Sequence, residues 1–188
     1  MLMVAQLDLE FVAVNHSIPD ALAVFVRTEG GTLLHTGDWK LDPNPLLGLP
    51  TDEEGFAALG REGVLAMVCD STNALVEGYS GSEADVRREL TALIGELRGR
   101  VAVTCFATNV ARVESIAHAA RANGRQVALF GRSLRNADAA ARECGYLKDT
   151  PPFLSEDEAG YLPDEELLII CTGSQGEERA ALSRISRG

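Results

Sequence analysis

The chain has 188 residues, 46% of them hydrophobic, and 17 Lys and Arg against 28 Asp and Glu, for a formal net charge of −11. That apolar fraction can fill one or two cores and excludes a chain disordered by composition. The net charge disfavours a broad basic surface that grips nucleic acid non-specifically, so any contact with phosphates has to come from a local basic groove. No window approaches the roughly eighteen continuous apolar residues of a membrane span. The start Met1-Leu2-Met3-Val4 lacks the charged region and cleavage site of a signal peptide, so a cytoplasmic location is expected. Cys69, Cys105, Cys144 and Cys171 are far apart, and three of them close apolar runs. Reduced, buried thiols fit that pattern better than zinc ligands or a disulfide framework.

Leu7, Leu9 and Phe11 alternate with Asp8 and Glu10, as in a strand with its leucines turned inward. Two β-rich runs, residues 11–14 and 21–27, flank a loop carrying His16, and Glu29-Gly30-Gly31-Thr32 makes a hairpin turn into a strand at 32–36. That strand stops abruptly in Thr36-Gly37-Asp38, which delivers a carboxylate to the C-terminal edge, where open sheets usually assemble their sites. Pro43, Pro45 and Pro50 force an irregular loop. Thr51 with Glu54 three residues on fits a capping box opening a short helix that ends near residues 60–63. Residues 64–69 form a continuous apolar run, the mark of a strand buried on both faces, and it ends in Asp70-Ser71-Thr72-Asn73.

Gly78 and Gly81 mark the best junction in the chain, giving domains at 1–77 and 78–188. A helix opens at Ser82 and runs to about Leu97, with Val86, Leu90, Leu93, Ile94 and Leu97 on one stripe. Strands at 101–106 and 126–130 then alternate with helices at 109–122 and 136–144, and Asn123-Gly124 stops the first of these. Residues 149–163 are proline-rich and acidic, with room for one helical turn. A strand at 167–171 and a helix at 177–185 follow. Repeated strand–helix units of this kind specify a small parallel sheet covered on both faces.

Among residues with chemistry to offer, His16 and Asp38 stand at strand ends. An imidazole and a carboxylate so placed can share a divalent metal, since Zn²⁺ takes His nitrogen and Asp oxygen at roughly 2.0–2.2 Å. Ser17 and Asp20 are placed to orient the imidazole. Taken alone, His16 also fits a loop hydrogen bond, and Asp38 a turn after glycine. Asp70 fits a site acid and an Asx turn with Ser71 and Thr72 equally well. His35 should point away from Thr36 across its strand, a structural position, and His118 lies on a helix stripe. The turns at 104–109 and 172–176 place hydroxyls, amides and backbone N–H groups at helix starts, where the dipole favours an anion. Asn109, Arg112, Arg132, Ser174 and Gln175 are the candidate substrate contacts there, with Arg135 adding charge, although such turns also form for steric reasons. No Walker A or GxGxxG motif is present.

The segments HSIPDA (16–21), HTGDWKLDP (35–43), CDSTNA (69–74), CFATNVAR (105–112), GRS (131–133) and CTGSQGE (171–177) resemble ribonuclease J, in the same order. The resemblance implies an α/β chain: part of a metallo-β-lactamase ββ sandwich followed by a parallel β-CASP domain. It implies His16 and Asp38 as zinc ligands, Asp70 as the catalytic acid beside the metals, and RNA cleavage in 5′-exonucleolytic and endonucleolytic modes. The family's HxHxDH motif and its later histidine motifs are missing, since His16, His35 and His118 are the only histidines. Two ligands do not hold a catalytic zinc that normally takes three protein ligands and an open position. An internal slice of the family, inactive alone, is therefore expected. Its interrupted lactamase sheet would leave strand edges near residues 5–36 that invite pairing with another copy or a full-length partner. The rival readings are a silent RNA-binding or assembly module and a small-molecule metallo-hydrolase.

Overall fold

The computed structural model describes residues 2–4 and 7–187, the first three by backbone alone. They divide into two compact units, one ending at Ser82 and the other beginning at Glu83. No helix among them is long and apolar enough to cross a membrane.

The first unit is a five-stranded sheet in the order β1 (Leu2–Val4), β2 (Leu7–Ala13), β3 (Leu22–Thr28), β4 (Gly31–His35), β5 (Ala66–Val68), with a helix, α1 (Glu53–Glu62), between β4 and β5. Neighbours are antiparallel except β4 and β5, which run parallel. The register sets Asp8 against Arg27, Glu10 against Phe25 and Val12 against Ala23. The even residues of β2 therefore share a face with Phe25, and that face carries the core of Val12, Val14, Ala23, Phe25, Leu34 and Leu59, with Trp39 and Phe56 packed against it.

This inverts the inward set expected for residues 7–11: Phe11 is 47% exposed, while Val12 is 4% exposed. Alternation fixes which residues share a face, and packing decides which face is covered. Asp8 and Glu10 are tolerated on the packed side because Arg27 pairs with Asp8, Glu10 and Glu62 there. The opposite face leaves Leu7, Phe11, Leu22, Leu33 and Val68 exposed. Strands β2, β3 and β4 have neighbours on both sides, so the unsatisfied feature is an apolar face rather than the strand edges expected there.

Two further expectations are corrected in this unit. Asp52, not Thr51, caps α1, its carboxylate accepting from Gly55 N at 2.8 Å, because the Thr51 hydroxyl is already engaged with Asn15 N and Lys40 O. Strand β5 does pair in parallel, but it lies at the edge of the sheet, and Leu65 and Met67 remain 73% and 59% exposed. A continuous apolar run reports burial only when both faces find a partner.

The second unit carries α2 (Glu83–Glu96), β6 (Val101–Thr104), α3 (Val110–Ala122), β7 (Gln126–Phe130), α4 (Arg132–Glu143), α5 (Glu156–Ala159), β8 (Leu167–Cys171) and α6 (Ala181–Ile185). Its three strands are all parallel, in the order β6-β8-β7, and β8 is buried at every position. Leu168 and Ile170 face a cluster containing Ile94, Val113, Ile116 and Ala120, whereas Ile169 and Cys171 face Ala159 and Ala181. That two-sided cover is what a sequence of strand–helix repeats demands.

Helix α4 begins four residues before the expected Asn136. Gly131 enters it at φ 112°, a conformation open to glycine, and donates its N–H to the Glu156 carboxylate at 3.0 Å. Helix α6 is shorter than expected, because a turn across residues 173–180 precedes it. Arg125 is 5% exposed, and its guanidinium donates to the carbonyls of Leu97, Gly99 and Leu167, joining the end of α2 to the start of β8.

Candidate functional site

In the first unit β2 and β4 point the same way, because each is antiparallel to β3, and β5 is parallel to β4. The chain leaves all three at one edge of the sheet. His16 follows β2, Asp38 follows β4 and Asp70 follows β5, so topology alone gathers the three on that edge.

Side-chain and backbone bonds strap the edge together. An antiparallel bridge joins Asn15 to Lys40, with Lys40 N donating to Asn15 O at 2.8 Å. The Thr51 hydroxyl ties both residues, accepting from Asn15 N and donating to Lys40 O. The buried Thr36 hydroxyl donates to Gly37 O at 2.7 Å and accepts from Asp70 N at 3.4 Å, which links the TGD turn to the end of β5.

Within this frame the three residues differ. Asp70 accepts from both the hydroxyl and the N–H of Thr72, at 2.7 and 2.9 Å. Those bonds, aided by the charge of nearby His16, hold its carboxyl below the usual range, so it is ionised at neutral pH. The Asx turn and the strand-end carboxylate, alternatives in the sequence, are here one arrangement. His16 is half-buried, with Nδ1 3.2 Å from the Ser17 hydroxyl. Asp38 is exposed and makes no hydrogen bond or ion pair among the described residues. His35 accepts from Gly37 N at 3.0 Å, a turn-stabilising role.

No three His, Cys, Asp or Glu side chains among the described residues are grouped so that they could hold a metal ion. A resident zinc requires at least three protein donors converging on one point. The donor set among the described residues therefore does not fit a zinc ion by itself.

In the second unit the candidate substrate contacts separate into two kinds. Asn109 caps α3, accepting from Arg112 N at 3.0 Å, and the Arg112 guanidinium forms a bidentate pair with the buried Glu83 at 3.0 and 3.1 Å. Arg112 is thus engaged in holding α2 against α3, and Asn109 in capping α3. Ser174 and Gln175 lie exposed in the turn after β8, where Gln175 N donates to the Glu177 carboxylate. Arg132 is different. It opens α4 on an open cleft of about 1030 Å³ that Arg135, Arg179 and Arg184 also line. Sequence reasoning passed over Arg179 and Arg184. A helix running unbroken through 177–185 gave no reason to single them out, although two arginines five residues apart after a glycine turn were the available signal.

A family model for the ribonuclease J β-CASP domain matches residues 98–188. The chain is 51% identical over 184 residues to ribonuclease J of Sinorhizobium meliloti, covering 98% of this chain and 33% of that protein. It is 50% identical over 182 residues to ribonuclease J of Mycolicibacterium smegmatis, covering 96% and 33%. Over nearly its whole length, then, the chain is similar to a segment of ribonuclease J. Ribonuclease J of Thermus thermophilus matches at 43% identity over 178 residues, 95% of this chain and 31% of that protein, so the chain spans about a third of the length of these relatives. The β-CASP match takes in β6 through α6, which places the parallel sheet and the arginine-lined cleft inside the ribonuclease J β-CASP domain. A crystal structure of a protein of unknown function from Enterococcus faecalis shares the fold, with TM-score 0.61 and 18% identity over 93% of this chain and 43% of that one.

Proposed function

We propose that this chain is a segment of an RNA-hydrolysing nuclease of the ribonuclease J type, with 5′-exonucleolytic and endonucleolytic action belonging to the complete enzyme in the cytoplasm. The observation that carries the reading is the single sheet edge bearing His16, Asp38 and Asp70, in a chain whose residues 98–188 match a ribonuclease J β-CASP domain. In it His16 and Asp38 are two donors toward a zinc centre of the complete enzyme, and Asp70, ionised through its bonds to Thr72, is the acid that orients a neighbouring proton-bearing group. With no third donor grouped among the described residues to complete a metal site, the chain alone contributes RNA contacts without turnover. The exposed apolar face of the first unit favours association, with a second copy or with a full-length one, to cover Leu7, Phe11, Leu22 and Leu33.

The test uses the 188-residue chain with a single-stranded, 5′-monophosphorylated RNA. Binding without hydrolysis, in the presence of added zinc, is the expected result. Hydrolysis that Asp38→Ala abolishes would make the chain an enzyme in its own right and overturn its silence. Absence of RNA binding would overturn the RNA reading. Cleavage of a thioester or lactam with RNA untouched would replace it with a small-molecule hydrolase.

A further inference from the structure

The cleft of the second unit holds charge that neither the fold nor the strand-end edge uses. Arg132, Arg135, Arg179 and Arg184 face Glu156 and Asp157 there, a local excess of two positive charges in a chain whose net charge is −11. Arg135 is paired with Glu156 at 2.8 Å, and Arg184 lies close enough to lower the same carboxyl. Arg132 and Arg179 have no ion pair or hydrogen bond among the described residues. Arginines left exposed and unpaired around one concavity keep their donors free for an anion, and the guanidinium fork suits phosphate oxygens.

Glu156 decides how the cleft works. Its carboxylate sits where α4 begins, taking the N–H of Gly131 at 3.0 Å and the Arg135 guanidinium at 2.8 Å. Those are the two donors that an incoming phosphate would seek first, since the start of a helix favours an anion. The bonds to Gly131 and Arg135 outweigh its partial burial and keep the carboxyl below its usual range, so it is charged at neutral pH.

We propose that this cleft is a phosphate-binding site in which Glu156 is a built-in competitor, occupying the seat at the start of α4 until a phosphate group, held by Arg132, Arg179 and Arg184, displaces it. The phosphate can come from an internal phosphodiester of single-stranded RNA or from a free phosphate monoester. The identity of the source rests on the RNA reading above, whereas the site itself does not.

The decisive experiment is calorimetric titration of the 188-residue chain, at fixed ionic strength, with inorganic phosphate, with a nucleoside monophosphate, and with an oligoribonucleotide lacking terminal phosphates. Glu156→Gln keeps a neutral acceptor for Gly131 and is expected to tighten phosphate binding about threefold to tenfold, by freeing Arg135 from an ion pair. The double variant Arg132→Gln/Arg179→Gln, at exposed positions that hold nothing in the fold, is expected to weaken it about tenfold or more while leaving the melting curve unchanged. Weaker binding in Glu156→Gln would overturn the competitor role. Binding indifferent to the double variant, or no saturable phosphate binding even in Glu156→Gln, would overturn the site. If inorganic phosphate binds and the oligoribonucleotide does not, the site stands and its phosphate is a monoester; the same titration with a 5′-monophosphorylated oligoribonucleotide then decides the RNA reading, which fails alone if that RNA does not bind either.

Discussion

Replacing Phe25 with alanine is expected to destabilise the first unit by about 3–5 kcal/mol, enough to leave it largely unfolded near physiological temperature. The ring is fully buried beside Val12, Val14, Leu34 and Leu59, in a cluster with few other large side chains. It also lies under the Arg27 guanidinium, 4.7 Å from the ring centroid, so its loss loosens the charged group that pairs with Asp8, Glu10 and Glu62. Trp39, the single tryptophan, packs against the same cluster, and its fluorescence reports unfolding of this unit during urea titration. The control is Phe11→Ala. Phe11 is 47% exposed on the other face, and its loss is expected to cost below about 1 kcal/mol. Equal costs for the two variants would show that both faces are covered in solution.

Arg125→Met is expected to cost about 3 kcal/mol in the second unit. The substitution keeps most of the aliphatic volume but removes the donors that satisfy the carbonyls of Leu97, Gly99 and Leu167, at 2.7, 2.7 and 3.3 Å. Each buried acceptor left without a donor costs on the order of 1–3 kcal/mol, and water reaching the surface-side carbonyls recovers part of that sum. Arg125→Lys recovers only a fraction, because an ammonium group does not span three carbonyls as a guanidinium does. Denaturation followed by far-ultraviolet circular dichroism measures both. A loss within about 0.5 kcal/mol for Arg125→Met would mean that the three carbonyls do not depend on this side chain.

Much of the second unit was legible in the sequence because its signals are local and agree with one another. The apolar runs of β7 and β8 have the bounds read from sequence, and Asn123-Gly124 ends α3 as expected, with Gly124 at φ 71°. The start of α4 was missed because its partner is remote. Glu156 lies 25 residues beyond Gly131, and nothing local to GRS announces it. In the first unit the strands could be read, but not the packed face, since Leu7 to Phe11 alternate equally well with either side inward. That choice was made by Arg27 and α1.

The same division holds for the candidate site. His16, Asp38 and Asp70 were visible as strand-end residues, each following an apolar run. Their common edge depends on β3 lying between β2 and β4 and on β5 running parallel to β4, relations between segments that no single motif carries. Arg179 and Arg184 were passed over for a related reason: a pair of arginines after a glycine turn gains its meaning from the cleft that α4 and α5 complete around it.

One sheet edge gathers acid and imidazole groups without completing a metal site among the described residues. Equilibrium dialysis of the 188-residue chain against micromolar free zinc, with the bound metal counted by atomic absorption, tests this most directly. Well under one ion per chain, unchanged by Asp38→Ala, is the expected result. One or more ions per chain, lost on Asp38→Ala or His16→Ala, would contradict it by showing that these residues build a zinc centre unaided.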